Sequence, residues 1–216
     1  MKKISSDEIL DQLEIMFPEA HCELIHESTF QLLIAVILSA QTTDASVNKV
    51  TPALFEKYPT ANELARADLK DVENIIRNIG LYRNKAKNII ACAKELVENY
   101  DGEVPSNMKQ LTSLSGVGRK TANVVMSVAF DIPAIAVDTH VERISKRLGF
   151  AKQQDSVLQV EVKLKRKLNR QRWNRAHHLF IFFGRYFCTA KNPKCSECPF
   201  IENCREKNKN PGHHKS

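Results

Sequence analysis

Leu111-Thr112-Ser113-Leu114-Ser115-Gly116-Val117-Gly118-Arg119-Lys120-Thr121-Ala122-Asn123-Val124-Val125 sets two helical apolar patterns on either side of a Gly-x-Gly turn. Two glycines let the backbone turn tightly and come close to a partner. A helix that opens at Gly118 leaves its first N–H groups without intrahelical acceptors, and such groups suit a phosphate oxygen without reading any base. The stretch therefore predicts a helix-hairpin-helix with Gly116, Val117, Gly118 and Arg119 at a phosphate contact. On pattern alone, the same turn could serve only to join two helices.

Outward from this hairpin, helical signals recur and strand alternation is scarce, which predicts an all-α fold. Capping-box patterns stand at Ser5 to Glu8, Ser28 to Gln31 and Thr60 to Glu63, each followed by apolar residues three and four apart. Pro52, Pro59, Gly80, Gly102, Pro105, Pro133 and Gly149 divide the chain into about ten helices. The polar tail from Asn208 to Ser216 is expected to fray. The longest apolar run, Phe30 to Ala40, is too short for a bilayer and reads as a buried core helix. No membrane association is expected.

Lys and Arg number 32 against 25 Asp and Glu, giving a net charge of +7. That excess suits a polyanion but does not prove one. Seven of the basic side chains fall between Lys163 and Arg175, interleaved with Leu164, Leu168 and Trp173. They could track a phosphate backbone or form a solvated helix face.

Four of the six cysteines, Cys188, Cys195, Cys198 and Cys204, lie near the C-terminal end with six, two and five residues between them. Met1-Lys2-Lys3 runs directly into Ser5-Ser6-Asp7-Glu8 with no apolar leader, which predicts a reducing cytoplasm where structural disulfides are rare. The cluster is thus read as a metal site. One C-x-x-C pair with single flanking cysteines favours an iron-sulfur centre but leaves zinc open. Cys92, amid Ile89, Ile90, Ala93 and Leu96, reads as a small buried hydrophobe.

The hairpin, followed by Ile135-Ala136-Val137-Asp138-Thr139-His140-Val141 and the four-cysteine tail, resembles the endonuclease III family of helix-hairpin-helix DNA glycosylases. The likeness extends from about Ile9 to Lys207 and includes Ser39-Ala40-Gln41-Thr42-Thr43-Asp44 and Ile79-Gly80-Leu81-Tyr82. It implies two helical lobes with a DNA groove between them: a six-helix barrel over 22–133, and a lobe of 1–21 with 134–216 holding a [4Fe-4S] cluster. The implied partner is double-stranded DNA carrying damaged pyrimidines or abasic sites, bound by a monomeric, nucleoid-associated repair enzyme. One departure is Ser115, which stands where the family commonly has proline; a less rigid turn is expected, with the phosphate contact kept.

The resemblance makes Lys120 the nucleophile. Its neutral amine would attack the sugar C1′, expel the damaged base and leave an imine that permits β-elimination of the 3′ phosphate. An exposed lysine titrates near 10.4, so burial or a nearby cation such as Arg119 would have to lower its pKa. Without the resemblance, Lys120 is simply a solvated lysine in a helix's first turn. Asp138, placed to cap the following helix, would stabilise the positive charge developing on the sugar. His140 is a further candidate at the DNA, and a polar residue in a first turn needs no such role.

Reaching C1′ in a duplex requires the nucleotide to leave the stack. The resemblance places Gln41 against the orphaned base and Leu81 as a wedge in the stack. Without it, they are a polar helix end and a packed leucine. Lys191, Lys194 and Arg205 flank the cysteines, and the loop they decorate is expected to touch phosphate. Three other functions compete: a monofunctional adenine-mismatch glycosylase, a noncatalytic helix-hairpin-helix binding module, and an electron carrier. The first lacks the lysine and adds a further domain, while the second makes Lys120 and Asp138 a coincidence.

Overall fold

The computed structural model describes residues 4–209, and all its regular elements are helical. The part of the polar tail past residue 209 lies outside the described residues. Among the described residues there are twelve α-helices, two more than the breakpoints predicted, because several are single short turns such as Asp44–Val47 and Met108–Leu111. Pro52 opens a helix rather than ending one, as suits a residue whose missing N–H is not needed in a first turn. No helix among the described residues is long and apolar enough to cross a membrane. The chain forms two compact units, Cys22–Ile132, and Met1–His21 with Pro133–Ser216.

In the unit Cys22–Ile132, α2 (Thr29–Leu38) is buried from Phe30 to Leu38. Each large aliphatic side chain removed from water there stabilises by roughly 1.5–3 kcal/mol. Ser28 caps the helix by accepting the Gln31 N–H at 3.2 Å, while the Gln31 side chain reaches past Ser28 to the Glu27 N–H at 2.8 Å. Three short helices follow, α3 (Asp44–Val47), α4 (Thr51–Lys57) and α5 (Ala61–Ala65), then α6 (Leu69–Ile75). α7 (Tyr82–Tyr100) buries Ala86, Ile89, Cys92, Ala93 and Leu96 along one stripe. Burial pushes the Cys92 thiol up to about 12, so it behaves as the inert hydrophobe its pattern predicts. α8 (Met108–Leu111) and α9 (Arg119–Ala129) flank the hairpin, and α9 packs on α2.

In the other unit, α1 (Ser6–Met16) opens with the expected capping box: Ser5 N–H donates to Glu8 at 2.7 Å and Glu8 N–H to Ser5 at 3.1 Å. α10 (Thr139–Arg147), α11 (Val157–Lys167) and α12 (Trp173–Phe182) surround Leu10, Leu13, Ile144, Phe180 and Phe183. The basic segment 163–175 is largely spoken for inside this unit. Lys163 pairs with Asp155 and Lys165 with Glu161, each at 2.6 Å, while Arg172 reaches Asp7 and Asp11 and Arg175 grips Glu14 at 2.6 Å. Lys167 donates to the Phe150 carbonyl at 2.9 Å. Arg172 and Arg175 tie the start of α12 to α1, and Lys167 ties α11 to the preceding turn. Lys163 and Lys165 pair within or just before α11 while Arg166 and Arg170 are exposed, so the segment is part paired and part solvated face.

His178 on α12 sits against His177, Arg175 and His21, and burial, followed by those neighbouring charges, drops its pKa to about 3. An unfolded histidine binds protons near 6.5, so the unfolded chain takes up the proton first and stability is lost as pH falls below that value. Between pH 7.5 and 5.5 this group should cost about 1.4 kcal/mol. Urea midpoints at the two pH values check this: His178→Asn should shrink the acid shift, and an equal shift in both proteins would refute the assignment.

Candidate DNA interface and metal centre

Leu111, Leu114 and Val117 are buried and anchor the hairpin, leaving Gly116, Gly118, Arg119 and Lys120 exposed. Val117 is a correction to the sequence reading. Its side chain is inside and its N–H is already given to Leu114 at 3.1 Å, so it holds the turn rather than a phosphate. The looser turn expected from Ser115 is also not found, because its N–H and hydroxyl both donate to Glu95 at 2.7 Å.

The two glycines are needed for different reasons. Gly116 adopts φ +78°, and a Cβ there would stand 3.0 Å from Asn88 Cβ and 3.1 Å from Ile37 Cγ2. Gly118 has an ordinary φ of −90°, caps α9 without any side-chain bond, and would have nothing within 4 Å of an added Cβ. Gly118 therefore has no internal reason to be glycine, which is what close approach by an outside partner would require. Gly116→Ala should destabilise the protein by about 1–3 kcal/mol through backbone strain. Gly118→Ala should cost no more than the roughly 1 kcal/mol of a poorer helix N-cap and weaken binding to damaged and undamaged duplex alike; full-strength binding by that variant would count against the hairpin contact.

Lys120 is the second residue of α9 and is exposed, so the packing of the protein does not supply the burial expected to activate it. Asp138 is the N-cap of α10, with Oδ1 accepting the Val141 N–H at 2.8 Å. His140 is half-buried, and its pKa is held below the usual histidine range by burial first and by Arg143 and Arg185, against the pull of Asp138. Its Nδ1 lies 3.3 Å from Arg143 Nη2. A histidine in that setting is neutral at physiological pH and suited to hydrogen bonding more than to proton donation.

Gln41 and Leu81 share a feature invisible in the sequence: both take left-handed backbone conformations, at φ 54° and 59°. Such non-glycine positions cost about 1–3 kcal/mol each and concentrate at functional sites. Leu81 is also 59% exposed, unlike a packed leucine. Sequence reasoning missed Lys85, which is 5% exposed, donates to Thr42 Oγ1 at 2.6 Å and has its pKa lowered by burial. It ties the residue after Gln41 to the first turn of α7, which Leu81 caps.

α12 runs into a π-helical turn, Phe183–Phe187, and Cys188 follows it, its N–H bonded to the Phe183 carbonyl at 2.6 Å. A one-turn 3₁₀ segment begins at Cys195. Cys188, Cys195, Cys198 and Cys204 line one cavity with Arg147, Phe187, Ile201 and Glu206. Arg147 Nη1 lies 3.2 Å from Cys188 Sγ. Burial, and then the neighbouring cysteines, push the Cys198 thiol up to about 11, so an added positive centre is what would keep this sulfur a thiolate. Four soft thiol donors lining one cavity suit an iron-sulfur cluster, one sulfur per iron, or a thiolate-bound zinc. Lys191 and Lys194 are exposed beside it, with Lys194 Nζ 5.9 Å above the Phe187 ring.

Residues 34–170 match the HhH-GPD superfamily of base excision DNA repair proteins, and residues 188–204 match the iron-sulfur binding domain of endonuclease III. That second match decides between the two centres the cavity chemistry suits, and makes it a [4Fe-4S] cluster held by the four cysteines. Endonuclease III of Bacillus subtilis is 55% identical over 197 residues, 91% of this chain and 90% of that one. Endonuclease III of Escherichia coli K12 is 44% identical over 209 residues, 97% of this chain and 99% of that one. A solved non-covalent endonuclease III–DNA complex superposes with a TM-score of 0.91 at 55% identity, covering 95% of this chain and 96% of that one. A trapped endonuclease III–DNA covalent intermediate gives 0.90 at 55% identity over 94% and 97%. Identity of 44–55% across at least nine-tenths of these relatives, on a chain whose hairpin, helix-capping Asp138 and four-cysteine cavity stand together, shows that it belongs to the endonuclease III family.

Proposed function

We propose that this chain is a bifunctional DNA glycosylase and abasic-site lyase of base excision repair, acting on duplex DNA with an oxidised pyrimidine or an abasic site. It would work as a monomer on nucleoid DNA. The observation that carries this reading is the match, over more than nine-tenths of both chains, to an endonuclease III trapped covalently on DNA. Lys120 at the start of the hairpin's second helix is the candidate for the same kind of bond.

Exposed N–H groups at the start of α9, with Arg119, hold a phosphate and fix the register of the duplex. Leu81 enters the stack and Gln41 faces the orphaned base, while the damaged nucleotide turns out toward Lys120. Because Lys120 is exposed in the free chain, its desolvation comes from the DNA closing over it. The neutral amine bonds to C1′ as the C1′–N bond breaks, and the base departs with the electron pair and takes up a proton. Ring opening gives an imine; loss of a C2′ proton then breaks the C3′–O bond and releases the 3′ phosphate. The Asp138 carboxylate, aimed by the start of α10, stabilises the positive charge on the sugar and receives the amine proton. Cys188, Cys195, Cys198 and Cys204 would hold the cluster, which cross-links a loop that has little apolar core of its own.

The test is incubation with an oligonucleotide duplex containing one thymine glycol under borohydride. A covalent protein–DNA product is expected, and an uncleaved strand with no adduct would overturn the reading. An electron carrier or a passive clamp would give neither product.

A further inference from the structure

Ser115 opens the glycine turn, and its two donors converge on one carboxylate: N–H to Glu95 Oε2 and hydroxyl to Glu95 Oε1, both at 2.7 Å. Hydrogen bonds to a charged acceptor are short and strong, and a two-point contact fixes orientation as well as distance. Glu95 sits on α7, three residues after buried Cys92 and seven after Asn88, on the same stripe. Asn88, with Ile37 of α2, is one of the two side chains that crowd Gly116. α7 is therefore a seat for the hairpin, with Asn88 under Gly116 and Glu95 under Ser115, all within the unit Cys22–Ile132.

We propose that Glu95 and Ser115 form a clamp that holds the phosphate-gripping turn in its binding conformation before DNA arrives, and that Glu95 is a positioning residue for DNA binding. A proline at this position would stiffen the turn by its ring but has no N–H to donate. Serine needs an outside restraint, and the carboxylate provides it from a helix rather than from the turn itself. The location of the charge argues for such a role, since a carboxylate under a phosphate-binding turn repels phosphate. Serving only as surface charge, it would weaken the very contact the turn makes. The clamp rests on the proposed function for its ligand, but its geometry does not depend on Lys120 or Asp138.

The two effects of Glu95, repulsion and restraint, separate in a double-mutant cycle. Affinity of the full chain, with its cluster, is measured for a duplex carrying a tetrahydrofuran abasic analogue that cannot be cleaved, at fixed salt and well below the melting temperature. Glu95→Gln removes the charge in any background, so relief of repulsion is the same whether residue 115 is serine or has been replaced. Loss of restraint appears only where serine is present. Glu95→Gln is expected to weaken binding about tenfold in the natural background, and Ser115→Ala, which keeps the N–H arm, by less. In the Ser115→Pro background Glu95→Gln should not weaken binding at all. On a thymine glycol duplex, the single-turnover rate at saturating enzyme should be unchanged by Glu95→Gln, because the clamp acts on binding and touches no reacting atom. An equal effect of Glu95→Gln in both backgrounds, or no weakening in the natural one, overturns the clamp. If the unaltered chain fails to bind the abasic duplex, the functional reading itself falls, and this inference with it.

Discussion

Lys120→Gln is expected to abolish both borohydride trapping and strand cleavage while leaving lesion binding within about twofold of the parent. Binding should survive because the proposed phosphate grip, base extrusion and Leu81 wedge use no amine, whereas the imine cannot form without one. The exposed position of Lys120 also means that its loss opens no cavity and removes no buried contact, so stability should not change. Asp138→Asn separates from it. Asparagine keeps a side-chain oxygen for the Val141 N–H and so keeps the helix cap, but it cannot offset charge on the sugar. Base excision should slow by several orders of magnitude with affinity intact. Retention of a wild-type trapping rate by Lys120→Gln would mean that another amine attacks, and the mechanism would be wrong.

The all-α fold was legible because its signals are local. Ser5, Ser28 and Thr60 stand where helices start, and the apolar stripe of α2 continues for a whole segment. The hairpin could be read as a turn between helices, and Asp138 as a cap, for the same reason: capping and turn chemistry are written within four residues of sequence. What the sequence concealed depends on partners far along the chain. The carboxylate beneath Ser115 comes from twenty residues upstream, and the acids that occupy Arg172 and Arg175 come from α1 at the other end of the chain. A run of basic residues reads the same whether it faces phosphate or Glu14.

Backbone strain was equally hidden. Gln41 and Leu81 were singled out by resemblance, yet nothing in their residue types announces a left-handed conformation, for which glycine or asparagine would be the usual signal. The cost of holding them there is met by packing elsewhere in the unit, with Lys85 bonded to Thr42 as one visible restraint. Glycine showed the opposite limit. Both hairpin glycines looked alike in sequence, and only their surroundings distinguish one required by internal packing from one left open to an outside partner.

Cys198→Ser is expected to cost the cluster and, with it, the order of the segment that carries the other three cysteines. Between Cys188 and Cys204 the only buried apolar side chain besides cysteine is Phe200, so there is no local core to hold the loop once a ligand is gone. Arg147, only 8% exposed, would keep Glu206 at 3.0 Å but lose the anionic cluster beside Cys188 as its second partner. The variant should be colourless, contain little iron and melt well below the parent. Cys92→Ala is the control: that thiol is buried in the other unit and stays protonated, so its removal should cost some packing while visible absorption and iron content remain those of the parent. Colourless parent protein holding one zinc per chain would sink the iron-sulfur assignment. A Cys198→Ser variant retaining full colour and iron would show that serine can serve as the fourth ligand, and that the cavity rather than the sulfur donor holds the cluster.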